Sequence, residues 1–341
     1  MKHYNIPVFI SHFGCPNSCV FCNQKKINGR ETDISLKDLK NIIDTHLKTL
    51  PKKSIKQVAF FGGTFTGISM DLQKEYLKVV KEYIDRGDIE SIRISTRPDC
   101  INIDILKQLK KYKVKTIELG IQSLDNEVLD ATDRRYDEGI VENSCKLIKE
   151  FDFELGVQIM VGLPCSNLEK DYETAKRCLK LSPDIARIYP TLVISGTELQ
   201  RMYLRGEYKP LNLEEAIERT KKIYCLFELN GVNIIRVGLQ ASEDLTSEGV
   251  ILAGPFHPAF RELVLNKIYY NFLKKIYQKE GKLNIELNEK LISKVVGQKG
   301  INKRKFHPNF KIKISSDLNE KNIKINGRLY EKKEILLGEL E

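Results

Sequence analysis

The chain has 341 residues, 41% of them hydrophobic, enough to bury a full core in one α/β unit of about 250 residues with a smaller appendage. No run of about 18 apolar residues occurs, and the N-terminal Met-Lys-His-Tyr-Asn-Ile-Pro lacks the apolar stretch of a signal peptide, which argues against a membrane span and places the chain in the cytoplasm. Lys and Arg (56) outnumber Asp and Glu (46), a formal charge of +10; residues 299–341 alone hold 11 basic and 6 acidic side chains, which suits a polyanionic partner or simply a solvated surface.

From Asn5 to about Val237, short β-branched runs alternate with helical patterns, the signature of repeated βα units. In chain order, Pro7–Ser11, Gln57–Phe61, Ser91–Ser95, Thr116–Gly120, Gly156–Val161 and Ile185–Tyr189 predict six strands. Between them Leu36–Leu50, Leu72–Ile84, Ile103–Lys111, Gly139–Phe151 and Glu169–Leu181 carry apolar residues near i, i+3, i+4 and i+7, the helical period. Ser35 with Asp38, and Asp71 with Lys74, mark two helix starts. A helix over Leu213–Leu229 and the run Asn233–Val237 close this part. Polar Ala241–Gly249, then Gly254-Pro255-Phe256-His257-Pro258, interrupt regular structure. Three units are therefore expected: residues 1–245, a connecting segment 246–281 with a helix near Phe260–Tyr277, and a small basic α+β domain at 282–341. The last reads as strand Lys282–Leu287, helix Glu289–Val296, loop Gly297-Gln298-Lys299-Gly300, basic segment Ile301–Lys305, strands Phe310–Ser315 and Asn322–Asn326, and a final helix Leu329–Leu337.

Six strands with intervening helices suit an open doubly wound sheet or a partial barrel, and periodicity does not separate the two. In both, the chemistry sits just past the C-terminal ends of the strands, where the βα loops converge. The unusual residues fall there: Gly62-Gly63-Thr64 after the second strand, Arg97-Pro98-Asp99 after the third, Gln122-Ser123 after the fourth and Gly162-Leu163-Pro164 after the fifth. The first is followed by Gly14-Cys15-Pro16-Asn17-Ser18-Cys19-Val20-Phe21-Cys22, a C-x3-C-x2-C run. In a reducing compartment such cysteines are metal ligands rather than disulfides. Three closely spaced thiolates leave one iron of a 4Fe-4S cubane open to a ligand; the competing reading is a zinc site completed by His12 or His3. Cys100, Cys145, Cys178 and Cys225 read as core packing, and Cys165 lies just past the Gly-Leu-Pro turn.

The cysteine run with aromatic Phe21, together with Phe61-Gly62-Gly63-Thr64-Phe65, Thr96-Arg97-Pro98-Asp99, Glu118-Leu119-Gly120-Ile121-Gln122-Ser123, Gly162-Leu163-Pro164 and Ile188-Tyr189-Pro190-Thr191-Leu192-Val193-Ile194, resembles the radical S-adenosylmethionine (SAM) superfamily over residues 6–240. It is most similar to the radical SAM half of the Elongator catalytic subunit, and more distantly to oxygen-independent coproporphyrinogen III oxidases. The resemblance implies a partial (β/α)6 TIM-type barrel and a 4Fe-4S cluster on Cys15, Cys19 and Cys22, with SAM chelating the open iron. It also implies an electron supplied by a reductant such as ferredoxin or flavodoxin, and cleavage of SAM to a 5′-deoxyadenosyl radical.

Carried over residue by residue, Phe21 lies within the cluster loop and Gly62, Gly63 and Thr64 form the turn whose backbone meets the SAM amino group. Gln122 and Arg134 match positions that contact the SAM ribose or carboxylate. Gly162 resembles the turn beside the adenine. Asp99 either touches ligand or caps the next helix. The chain departs from its relatives at Ser95, where a Glu is frequent, and at Gln158, where the porphyrin enzymes carry an Asp; Gln158 can still hydrogen-bond a hydroxyl. Nothing after residue 240 resembles the acetyltransferase domain of the Elongator subunit, so no acetyl transfer is expected.

The order of elements after residue 282 resembles a compact KH domain. In such a domain the Gly297-Gln298-Lys299-Gly300 loop, with Lys303 and Arg304 behind it, clamps the backbone of single-stranded nucleic acid; the competing reading is a small cap packed on the barrel. The expected function is therefore radical SAM chemistry on RNA, with tRNA the leading substrate. The alternatives are a radical SAM enzyme acting on a porphyrin or other small molecule, and a non-catalytic, metal-stabilised RNA-binding protein.

Overall fold

The computed structural model describes residues 2–28 and 34–340; Met1 and Glu341, the outer limits of the expected domains, lie outside the described residues. Seven strands build the main sheet: β1 (His3–Phe9), β2 (Ile55–Phe61), β3 (Ser91–Thr96), β4 (Val114–Gln122), β5 (Glu154–Val161), β6 (Ile185–Pro190) and β7 (Asn233–Val237). All neighbours are parallel and the spatial order follows the chain from β1 to β7. A doubly wound sheet would reverse direction at a switch point, so the sheet is a curled half-barrel. One strand more than the six expected is present, because the run Asn233–Val237 pairs with Ile185–Ile188. The first strand begins earlier than expected, and Pro7 is tolerated there because β1 is an edge strand.

The helices follow the predicted periodicity: α1 (Leu36–Thr49), α2 (Met70–Asp85), α3 (Ile103–Lys111), α4 (Glu138–Glu150), α5 (Leu168–Lys180), α6 (Leu213–Leu229) and α7 (Phe260–Glu280). Ser35 caps α1 by accepting from the Asp38 N–H. At α2 the residue before the helix is Ser69, and Asp71 instead pairs with Lys74 across one turn. A capping box of Asn212 and Glu215 starts α6.

The C-terminal sheet is mixed: β8 (Leu283–Leu287) lies parallel to β9 (Phe310–Ile314) and antiparallel to β10 (Asn322–Ile325), which pairs with β11 (Arg328–Glu331). The expected helix from Leu329 is corrected here: Arg328–Glu331 is a strand, and helix begins only at Lys332. Asn326 (φ 50°) and Gly327 (φ 89°) are both left-handed, the pattern of a two-residue hairpin turn that turns the chain back before a helix can form.

One apolar core runs without a break from Ile6 in β1 to Leu336 near the C-terminus. The end module is pinned to it by a buried Lys221–Glu339 pair at 2.6 Å and by Lys332 donating to Glu228. Asn266 of α7 donates to the Ser293 and Lys294 carbonyls and accepts from the Gln298 N–H, fixing the Gly-Gln-Lys-Gly turn to the long helix. Among the described residues, no helix is long and apolar enough to cross a membrane.

Candidate active site

The loop after β1 and the loop after β2 lie backbone against backbone. The His12 N–H donates to Gly62 O at 2.9 Å and the Thr64 N–H to Phe13 O at 2.9 Å. A Cβ on Gly63 would stand 2.3 Å from Ile10 O and 2.6 Å from Phe13 O, and one on Gly14 would stand 2.2 Å from Thr64 O. No side chain fits either gap, so these glycines are needed to seat the cysteine loop on the mouth of the half-barrel. Phe21 carries the contact onward, packing against Val20, Val193 and Leu199 on one side and Met160 and Leu163 on the other.

The three cysteines meet different partners. Cys15 Sγ lies 3.1 Å from Thr64 Oγ1, Cys22 Sγ accepts from Gln24 Nε2 at 3.5 Å, and Cys19 Sγ accepts from Arg134 at 3.0 Å and Arg97 at 3.6 Å. Burial pushes the Cys15 thiol up and the Cys22 thiol up to about 12, and each is raised further by the neighbouring thiols. Half-buried thiols such as Cys15 and Cys22 that resist ionisation become thiolates once a metal takes them as ligands. His12, a candidate fourth ligand for zinc, spends Nε2 on the Gln24 backbone N–H at 2.8 Å, and His3 is exposed at the far end of β1. The donor set is thus three thiols without an imidazole, which fits an iron-sulfur cluster. Among the described residues, no three His, Cys, Asp or Glu side chains are close enough to grip a single ion.

Asp99 neither caps a helix nor stands free. Asn102 caps α3, and Asp99 receives two bonds of 2.9 Å from Arg97, one to each oxygen. Arg134 is buried, with Nε on Tyr136 Oη at 2.8 Å and a terminal nitrogen on Gly120 O at 2.5 Å. Gln122, left-handed at φ 68°, accepts from Gln158 Nε2 at 3.3 Å, so these two expected ligand contacts meet each other. Gly162 is already used at both ends: its N–H donates to Asp171 at 3.2 Å and its carbonyl accepts from Tyr208 Oη at 2.6 Å, while Arg219 holds Asp171 at 2.9 Å. Arg97 belongs to the Arg97-Pro98-Asp99 run that the sequence places after the third strand, whereas Tyr136 carries no local signal of its place in the site.

Below the mouth, charged side chains from neighbouring strands form a layer, where a closed barrel would stack branched aliphatics. Glu118 of β4 accepts from Arg93 of β3 at 2.8 Å and from Arg187 of β6 at both oxygens. Arg93 also reaches Gln57 of β2, and Arg187 lies 3.3 Å from Tyr189 Oη. On β5 between them, Gly156 leaves room for the crossing, since a Cβ there would meet Glu118 Cγ at 2.8 Å.

The residues expected to meet nucleic acid share one turn and the short helix after it. Gly297 and Gly300 have φ of 79° and 74°, Lys299, Lys303 and Arg304 are exposed, and the Arg304 guanidinium donates to Lys299 O.

A radical SAM superfamily model matches residues 9–178, and a radical SAM C-terminal domain model matches residues 183–270. The tRNA uridine(34) acetyltransferase of Methanocaldococcus jannaschii is 28% identical over 256 residues, 62% of this chain and 47% of that protein. The chain therefore spans about half the length of the curated relatives it matches. An uncharacterized protein of the same organism is 27% identical over 294 residues, covering 82% of this chain and 87% of that one. Among solved structures, the N-terminally deleted Elp3 of Methanocaldococcus infernus superposes with a TM-score of 0.62 at 25% identity, over 82% of this chain and 68% of that one.

Proposed function

The chain belongs to the radical SAM superfamily, as an enzyme related to Elongator-type tRNA-modifying proteins, and from that premise we propose that it cleaves SAM reductively at a 4Fe-4S cluster and modifies RNA, with tRNA as the leading substrate. The observation that carries the cluster is the seating of the Cys15, Cys19 and Cys22 loop on the glycine loop of β2, at the end of the sheet where βα loops converge. Cys15, Cys19 and Cys22 would hold the cluster. When bound, cluster and SAM together supply one-electron cleavage of the sulfonium to a 5′-deoxyadenosyl radical. Thr64 steadies Cys15, and Gln24 steadies Cys22. The paired Gln122 and Gln158 would present amide groups to the ribose, and the turn at Gly62 to Thr64 would face the SAM amino group. Asp171, Arg219 and Tyr208 hold the Gly162 turn, where the adenine would rest.

Two observations support RNA as substrate: the relatives' names, and an exposed basic turn at Lys299, Lys303 and Arg304 held rigidly to α7 through Asn266. Phe260, the first residue of α7, lies against Gly238 just past the end of β7, and Asn266 lies six residues further along, about 9 Å on the helix axis. Anaerobic reconstitution tests the reading. Wild-type chain should take up iron and sulfide and release 5′-deoxyadenosine with SAM and dithionite, and Cys15→Ala should lose both. Bulk tRNA should bind at micromolar concentration or better, weaken steeply between about 50 and 200 mM salt, and stimulate SAM consumption. Zinc in place of iron and sulfide would refute the enzymatic reading. Cluster chemistry indifferent to tRNA, with no salt-sensitive binding, would refute RNA and return the substrate to a porphyrin or another small molecule.

A further inference from the structure

Two buried guanidiniums converge on a single sulfur. Arg97 and Arg134, 4% and 3% exposed, each direct one terminal nitrogen at Cys19 Sγ. Their other donors are tied down. Arg97 spends Nε and its second terminal nitrogen on Asp99, and the latter also reaches Arg134 O at 2.6 Å. Arg134 spends Nε on Tyr136 Oη and its second terminal nitrogen on Gly120 O. The Tyr136 ring lies beneath both, 5.1 Å from the Arg97 guanidinium and 4.9 Å from that of Arg134. Neither head group is free to swing away.

Two like charges brought together in a buried site repel unless an anion lies between them. Asp99 compensates one; the Cys19 sulfur, which stands here for a cluster-bound thiolate, is placed to compensate the other. Among the described residues, the remaining cysteines meet only neutral side chains, Cys15 the Thr64 hydroxyl and Cys22 the Gln24 amide. The positive charge is therefore concentrated on one ligand of three.

Building on the cluster assignment above, we infer that Arg97 and Arg134 are positioning residues that clamp the Cys19 sulfur and raise the cluster's affinity for the electron it must accept. Hydrogen bonds to cluster sulfurs and nearby charge set the reduction potential of iron-sulfur centres. Reduction adds one negative charge, and a buried cation favours the reduced form more strongly than a solvated one would. The step is transfer of one electron from a low-potential donor, dithionite in the assay, taking the cluster from its 2+ to its 1+ state with no proton moved and no bond made or broken. Asp99 and Tyr136 act indirectly, Asp99 by holding Arg97 and Tyr136 by holding Arg134.

The test is a redox titration of reconstituted full-length chain without SAM, followed by electron paramagnetic resonance, with iron and sulfide content measured alongside. At the solution potential where wild-type clusters are half reduced, Arg97→Gln and Arg134→Gln should each lower the ratio of reduced to oxidised cluster about tenfold, equivalent to about 59 mV for one electron. Tyr136→Phe, which keeps both arginines but frees Arg134 Nε, should shift it in the same direction by less. Arg135→Gln, on an exposed side chain paired with Asp133, should leave it unchanged. Loaded arginine variants that titrate like wild type overturn the inference. Should the arginine variants fail to fold or to load, Tyr136→Phe decides: a lowered ratio supports the clamp and a wild-type ratio overturns it. A wild-type chain that takes up no iron and sulfide overturns the cluster assignment instead.

Discussion

Glu118→Gln should destabilise the half-barrel far more than its small change in shape suggests. The wild-type carboxylate is 3% exposed and accepts from Arg93 at 2.8 Å, from one Arg187 terminal nitrogen at 3.1 Å and from Arg187 Nε. Burial alone would push this carboxyl up, but Arg187 and Arg93 outweigh it and hold it below its ordinary value. The amide keeps the volume and one acceptor oxygen, yet it removes the negative charge from between two buried cations and turns an N–H toward one of them. Breaking a buried ion pair from one side costs about 3–5 kcal/mol. The retained acceptor places the expected loss near the lower end, about 3 kcal/mol, which moves a urea midpoint down by roughly 1 M at a slope of roughly 3 kcal/mol/M. Urea unfolding at neutral pH, followed by far-ultraviolet circular dichroism, measures it. Because the folded carboxyl titrates below its unfolded value of 4.5, its contribution is fully present above that pH and is lost as pH falls through the folded pKa. The gap between wild type and variant should therefore narrow in acid. An unchanged midpoint at neutral pH, or a gap that stays constant on acidification, would refute the ion-pair account of this layer.

Gly63→Ala should cost about 1–3 kcal/mol through overpacking, because the new methyl meets two backbone carbonyls that cannot rotate aside. It should also reduce iron and sulfide uptake; full loading with an unchanged melting temperature would contradict the interlocked-loop geometry. Glu339→Gln takes from buried Lys221 one of its two carboxylates, leaving Glu218 at 2.9 Å, and should cost about 2 kcal/mol, the worth of a hydrogen bond to a charged group. Thermal unfolding reads that loss, and proteolysis of the last 60 or so residues should quicken if the pair truly anchors the end module. On the RNA reading, Lys303→Gln with Arg304→Gln should lower the salt slope of tRNA binding by about 2 without changing cluster content; an unaltered slope would place the RNA elsewhere.

The alternating pattern of strand and helix was legible because periods of 2 and 3.6 are local properties. Ile103–Lys111 and Leu213–Leu229 match the helices residue for residue. The C-x3-C-x2-C run and the glycine pair were legible for a related reason, since few side chains are compatible with such chemistry or such close backbone approach. The Arg328–Glu331 strand is hard to read although Asn326-Gly327 is a hairpin signal, because the apolar pattern from Leu329 onward also suits a helix. The glutamate in the Glu118–Ser123 motif was visible, but its partners were not.

The sequence by itself determined most of the elements of the half-barrel, their order, and the loops on which reactive residues stand. The tertiary structure alone decided the direction of the guanidiniums and carboxylates. A charged residue at an alternate strand position reads identically whether it faces solvent or the inside of a half-barrel. Glu118 meets Arg93 across 25 residues of chain and Arg187 across 69, and Cys19 meets Arg97 across 78 and Arg134 across 115. Contacts at such separations have no local period; they exist only once the sheet has curled and brought its strand ends together, when the cost of burying each charge selects the partner that neutralises it.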